Sequence, residues 1–360
     1  MTDSITAAAP PTSGSVRSLL RLGVIGCGRI AQVAHLPAAA KSDAVRLVAV
    51  SDPSPVLSSL VGARYGADSY TNTDTLLARA DLDAVVVAIP DRFHRDVTIA
   101  ALDRGLPVLA EKPAATTAVE ARELLAAAEP TGLAVQIGAM RRHDPGLQFA
   151  RAAVGSVGEV LSAAFWYRLP SSLRASTEAA LFPAQVVDAG VRRIEAGFKS
   201  DRESYLLRTH GAHVFDTVRY LLGEVSAVTT ERVQLGADLH WQGSLRTDLG
   251  LASFAITANV HADYSEGIEI FGSRGRIRVR SYFPFYRRAS TAAVFDEERG
   301  LWSTTEFGAV DPYQRQLESF AAAVRDGTPC DPDLRDGLRA LEVIEAAARS
   351  AASDGARVTP

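Results

Sequence analysis

The sequence predicts an α/β chain: an N-terminal Rossmann-type doubly wound parallel sheet, followed by an α+β domain with a large open, mainly antiparallel sheet. Three observations carry this expectation. From Arg21 to about Met140, short and nearly continuous apolar runs alternate with amphipathic stretches, as strands covered by helices on both faces do. The first run ends in Gly26-Cys27-Gly28-Arg29-Ile30-Ala31, a G-x-G-x-x-A turn of the kind that opens a helix. Beyond Met140 the pattern changes to segments of period-two alternation separated by turn residues, which marks strands with one face open. With 360 residues, 47% of them hydrophobic, the chain can fill two cores. The boundaries read as a disordered tail at 1–20, the doubly wound domain at 21–140, and the α+β domain at 141–360.

The elements follow in order. The opening "MTDSITAAAPPTSGSVRS" is small and polar and lacks the basic and apolar regions of a secretory signal. Five strands are expected at "LRLGVIGCG", "VRLVAVSD", "LDAVVVAIP", "LPVLAEKP" and "LAVQIGAM". The helices between them, among them "SPVLSSLVGARYG" and "FHRDVTIAALDRG", finish on glycine, a common helix stop. The second domain starts with helix "PGLQFARAAVG" and strand "GEVLSAAFWYRL", then a long irregular tract from Pro170 to Glu203. Helix "HVFDTVRYLLG" precedes strands at "VSAVTTERVQLG", "DLGLASFAITANVHADY", "EGIEIFGSRGRIRVRSY" and "STAAVFDEE". Helices "PYQRQLESFAAAVRDG" and "DLRDGLRALEVIEAAARSAASDG" close the chain.

Bulk composition narrows the partners. A net charge of -4 without a lysine-rich run argues against nucleic acid, whose phosphates need a concentrated basic surface. No apolar run is long enough to span a bilayer. Two cysteines, Cys27 and Cys330, are too few for a disulfide framework and fit a reducing cytoplasm. A small polar ligand is the expected partner.

The glycine turn points to a dinucleotide, because Gly26 and Gly28 let the backbone approach a pyrophosphate at the helix start formed by Arg29 and Ile30. Asp52 ends the second strand at the spacing of a ribose-binding acid. A carboxylate there accepts from a 2'-hydroxyl and repels a 2'-phosphate, favouring NAD, while Arg29 leaves NADP open; the alternative for Asp52 is a turn or helix cap. The strands "LDAVVVAIP" and "LPVLAEKP" end at "AIPDRFH" and "AEKP", bringing Ile89, Pro90, His94, Glu111 and Lys112 to the same carboxyl edge, where ligands bind. Lys112 stands out because only three of the 38 basic residues are lysines. His94 reads as nicotinamide-side or as a plain helix-start histidine.

These residues resemble the glucose-fructose oxidoreductase, inositol dehydrogenase and rhizopine-catabolism family, written Gfo/Idh/MocA, over nearly the whole chain. The marks are the glycine turn, "VVVAIPDRFH", the Glu-Lys-Pro of "LAEKP", "GAMRRHDP", "GAHVFDTVRYLLG" and "EIFGSRGRIRV". The resemblance implies oxidation of a secondary alcohol of a sugar, glycoside or cyclitol with NAD(P), Lys112 and His213 facing the substrate, and a homodimer or homotetramer formed through the sheet-rich domain. Chemically, His213 suits the base and Lys112 the cationic donor at the reacting oxygen. The start of "HVFDTVRYLLG" would put the positive helix end beside His213 and lower its pKa. One departure stands out: Thr209 occupies the position where the family carries an aspartate, so Thr209 hydrogen-bonds substrate, or His210 or Tyr205 takes part, or the reaction differs from simple polyol oxidation.

Arg141 and Arg142 at the domain junction are candidates for binding hydroxyls or an anion, with solvated junction charges as the alternative. Tyr167 and Tyr205 are further substrate candidates, and Trp166 and Phe165 read as sheet core. His210, His213 and Asp216 are spaced by threes, but no metal is expected, since Asp216 can pair with Arg219 or Arg208. The expected activity is an NAD(H)-dependent sugar or cyclitol dehydrogenase, with a ketosugar reductase, a site-recycled cofactor, or a noncatalytic dinucleotide sensor as alternatives.

Overall fold

The computed structural model describes residues 18–170, 179–258 and 264–360. The expected N-terminal tail up to residue 17, residues 171–178 of the tract after Pro170 and residues 259–263 within "FAITANVHADY" lie outside those residues. Among the described residues, six strands form the first sheet: β1 (Leu20–Ile25), β2 (Val45–Ser51), β3 (Asp68–Tyr70), β4 (Ala84–Val87), β5 (Val108–Ala110) and β6 (Val135–Ile137). All pair in parallel in the order β3-β2-β1-β4-β5-β6, which places the reversal of strand order, and so the binding crevice, between β1 and β4. A π-helical turn (Ala31–His35) leads into α1 (Leu36–Lys41), followed by α2 (Pro55–Tyr65), α3 (Thr73–Leu77), α4 (His94–Leu102) and α5 (Ala118–Ala128). β4 consists of Ala84, Val85, Val86 and Val87, all with no exposed surface, as a central strand covered on both faces requires. The three-residue edge strand β3 escaped the sequence reading because Asp68-Ser69-Tyr70 carries no apolar run.

After α6 (Pro145–Ala153), the second sheet comprises β7 (Val160–Leu169), β8 (Val225–Leu235), β9 (Asp238–Thr247), β10 (Gly250–Ala258), β11 (Ser265–Gly272), β12 (Gly275–Ser281), β13 (Thr291–Asp296) and β14 (Leu301–Thr305). Its order is β14-β13-β12-β11-β7-β10-β9-β8. Only β7 with β10 is parallel. The long helix α8 (Arg202–Leu222) covers the inner face, where Phe215 meets Phe254 edge to face at 5.0 Å. β9 and β14 are additions to the strands expected from sequence. A helix, α7 (Ala189–Phe198), interrupts the tract expected to be irregular, and Asp188 caps it through Gly190 N and Val191 N.

The closing helices α9 (Pro312–Asp326) and α10 (Leu334–Ala351) return to the first domain. The approach to α10 pairs with β6 through Ile137 N and Pro332 O at 3.1 Å, and Glu345 on α10 accepts from Ala118 N at 2.7 Å. Gly337 permits this packing, because a Cβ there would sit 2.9 Å from Ala114 and Ile137. Both sheets are thereby locked onto one helix.

Candidate active site

The glycine turn closes the carboxyl end of β1 against that of β4. Gly26 has φ +96°, and a Cβ there would fall 2.3 Å from Ala88 O, so no other residue fits this approach. A Cβ on Gly28 would project into the cleft, meeting Glu195 Oε1 at 4.0 Å. Asp52 accepts from Cys27 N through Oδ2 and from Ser54 N through Oδ1, each at 2.9 Å. Burial pushes its carboxyl above the usual range, and the two amide bonds only partly offset this. Burial also pushes the Cys27 thiol up to about 12, so the cysteine of the turn is no nucleophile. A glycine cradle at a helix start with a carboxylate at the end of β2 fits a dinucleotide.

Next to this cradle lies an interdomain cleft of about 230 Å³. Arg29, Ile30, Ile89, Pro90 and His94 form its first-domain wall, together with Glu111 and Lys112. His94 is buried with Nδ1 2.7 Å from Pro113 O and Nε2 2.9 Å from Ile89 O. Its ring therefore staples the β4 loop to the Glu-Lys-Pro loop through both nitrogens while forming part of the cleft wall.

Glu111 explains why a buried strand ends on an acid beside a lysine. It is 6% exposed, and its Oε1 lies 2.8 Å from His35 Nε2 while Oε2 accepts from Lys112 N at 3.1 Å. Burial works to raise its pKa, but the His35 hydrogen bond and the positive fields of His35, Lys112 and His94 outweigh it and hold the carboxyl below the usual range. His35 in turn packs edge-on against Tyr313 at 5.8 Å. Sequence reasoning missed His35, because a histidine inside an apolar helix shows no partner locally. Lys112 leaves this anchored loop for the second domain, where Nζ lies 3.5 Å from Thr209 O.

The opposite wall is the cleft-facing side of α8. Tyr205, Thr209 and His213 recur every fourth residue and so share one helix face, with His210 beside them. This corrects the expected helix start: α8 begins at Arg202, so His213 sits mid-helix and feels no helix end. Tyr167, on β7, stacks against His210 at 5.3 Å and His213 at 5.6 Å and fixes both rings. Phe285 and Tyr313, stacked at 6.1 Å, add an aromatic flank, and Arg29 lies 6.0 Å from the Phe285 ring. Glu195, Phe198 and Lys199, from α7 and its end, complete the lining. Two of the three lysines thus face one cleft.

Arg141 and Arg142 do not reach it. Arg141 bonds Tyr264, Glu266 and Tyr282 O, and Arg142 pairs with Asp216, Asp331 and Asp336. Both are buried, where an unpaired guanidinium would be prohibitive, so carboxylates claim them. Asp216 is committed to Arg142 rather than to Arg219 or Arg208, and among the described residues no group of three metal-ligating side chains converges. Nor, among those residues, is any helix long and apolar enough to cross a membrane.

Comparison with known proteins gives the same outline. Residues 20–139 match an oxidoreductase family, NAD-binding Rossmann fold, and residues 204–359 match its C-terminal alpha/beta domain. An inositol 2-dehydrogenase of Rhizobium meliloti (strain 1021) is 30% identical, with 92% of this chain and 97% of that protein covered. A dTDP-3,4-didehydro-2,6-dideoxy-alpha-D-glucose 3-reductase of Saccharopolyspora spinosa is 27% identical over 92% of this chain and 96% of its own. A solved structure of a provisionally named myo-inositol dehydrogenase from Sinorhizobium meliloti 1021 superposes with a TM-score of 0.75 at 27% identity, covering 94% of this chain and 99% of that one.

Proposed function

The chain belongs to the Gfo/Idh/MocA family of NAD-binding oxidoreductases, and from that premise we propose that it interconverts a secondary alcohol of a sugar, glycoside or cyclitol with its ketone. The observation that carries this reading is the meeting of Lys112 and His213, from different domains, on one cleft beside the glycine turn. When bound, the dinucleotide supplies the hydride acceptor. His213 takes the hydroxyl proton, and the Lys112 ammonium donates to the oxygen as it gains carbonyl character. Thr209, on the same face as His213, hydrogen-bonds a neighbouring substrate hydroxyl. The aromatic flank of Tyr167, Phe285 and Tyr313 limits water at the reacting carbon. Tyr205 and His210 orient the substrate beside them.

The reductive direction is the second reading, favoured by the 3-reductase among the relatives. We place the protein in the cytoplasm, in keeping with two free cysteines, and as a homodimer or homotetramer. The test is turnover of a sugar, glycoside and cyclitol panel with NAD, compared with Lys112→Ala and His213→Ala. Each variant is expected to lose roughly 10²–10⁴-fold in kcat, the scale of one acid-base group, while still binding NADH. Undiminished turnover in both would refute the assignment.

A further inference from the structure

Residues 182–199 leave the second domain and lie across the cofactor domain as a strap. The Gln32 side-chain amide accepts from Val186 N at 2.8 Å and donates to Val186 O at 2.9 Å, while also donating to Cys27 O at 2.8 Å. Arg64 donates to Ala184 O at 2.6 Å. At the far end Phe198 receives the Arg92 guanidinium at 4.5 Å and the Phe93 ring at 5.8 Å. The strap is therefore fastened in turn at the last turn of α2, beside the glycine turn and near the end of β4, the last two at the carboxyl edge of the parallel sheet.

At the start of α2 this brings in a second acid. Asp188 Oδ2 accepts from Ser54 Oγ at 2.5 Å, and Ser54 N donates to Asp52 Oδ1 at 2.9 Å. Asp188 Oδ1 is held by Gly190 N at 2.8 Å and Val191 N at 3.2 Å, so its carboxylate is fixed rather than swinging. The bond from Ser54, with those helix amides, keeps Asp188 below the usual carboxylate range and hence anionic, and its charge adds to the upward push on Asp52. A ribose 2'-oxygen sits at the acid that ends β2. We propose that Asp188 is a second cofactor-selectivity residue, delivered by the strap from the substrate domain, which with Asp52 excludes a 2'-phosphate and so commits the enzyme to NAD. This rests on the dinucleotide groove of the proposed function. It also sets a counterweight to Arg29, whose guanidinium turns toward Phe285.

The test is direct binding. NADH and NADPH fluorescence titrations compare wild type with Asp188→Asn, which keeps the helix cap through Oδ1, lets its amide NH2 donate to Ser54 Oγ in the reverse sense, and removes the charge. NADPH affinity is expected to rise about tenfold while NADH stays within about twofold, the scale of one like-charge contact in partly screened surroundings. High salt should narrow the wild-type gap in the same sense. If Asp188→Asn folds poorly by thermal melt, the salt series on wild type decides: a salt-independent NADPH-to-NADH ratio overturns the proposal. An unchanged ratio in a well-folded Asp188→Asn overturns it as well, with the wider reading left standing. Failure of wild type to bind either dinucleotide would remove both.

Discussion

Glu111 is an ionised carboxylate with 6% exposure, and its charge survives burial because His35, Lys112 and its own loop surround it. A depressed carboxylate stabilises the fold fully above its unfolded value, here 4.5, and that contribution drains away as the pH falls below 4.5 through the lower folded value. Glu111→Gln is therefore expected to cost roughly 2 kcal/mol at pH 7, the range for a buried charge-assisted hydrogen bond. Denaturant melts at descending pH should show wild type and variant converging below about 4.5; parallel curves would mean that the carboxylate carries no charge-linked stability. Residues like Gly26, Asp52 and Lys112 were legible in the sequence because their signal is local, a fixed spacing after an apolar run. His35, Lys199 and Asp188 were not, since each gains its role from a partner or cleft wall many residues away. Arg141 and Arg142 misled for the same reason: Glu266 and Asp216, which claim them, are invisible from the junction motif.

At the scale of the element, α8 decides where the catalytic candidates point. The sequence reading began this helix at His213, after a tract read as irregular up to Glu203. Asp201 in fact caps the helix, its carboxylate accepting from Ser204 N at 3.1 Å, and Gly211 answers to packing, since a Cβ there would press Ile344 of α10 at 3.1 Å. The early start adds the turns that carry Tyr205 and Thr209 onto the His213 face. Asp201→Ala is expected to destabilise by about 1 kcal/mol, the usual worth of such a cap, and to raise KM more than it lowers kcat, because fraying reaches Tyr205 before His213. Asp201→Ser should restore both values. Equal loss of kcat without a change in KM would show that the first turns do not hold substrate. The strands of the parallel sheet were readable from their apolar runs, whereas β3, β9 and β14 were lost among polar residues that only pairing makes into strands.

At the scale of the whole molecule, among the described residues one face of the large sheet has no helix over it. Register aligns Arg246, Leu251, Ser162, Phe271, Arg276, Phe295 and Trp302 in one row across β9, β10, β7, β11, β12, β13 and β14. Cross-strand partners share a face, and Leu251, Phe271 and Trp302 on this row are 48%, 37% and 42% exposed. Arg276 stacks over Phe271 at 4.5 Å, and Arg278 over Trp302 at 5.0 Å, so cations shield some of the apolar surface but leave Leu251 open. Exposed apolar side chains spread along one row, interleaved with arginines, suit an association surface, and the expectation is that two such rows face each other in a closed, self-complementary contact. Light scattering is expected to give a multiple of the 38.3 kDa chain mass. Leu251→Lys with Phe271→Glu should shift the protein toward the monomer, because each places an uncompensated charge in the buried middle of the contact. The cleft lies on the helix-covered side of the sheet, so NADH binding should persist in that variant; a wild-type protein that runs as a monomer at all concentrations would rule this face out as the interface.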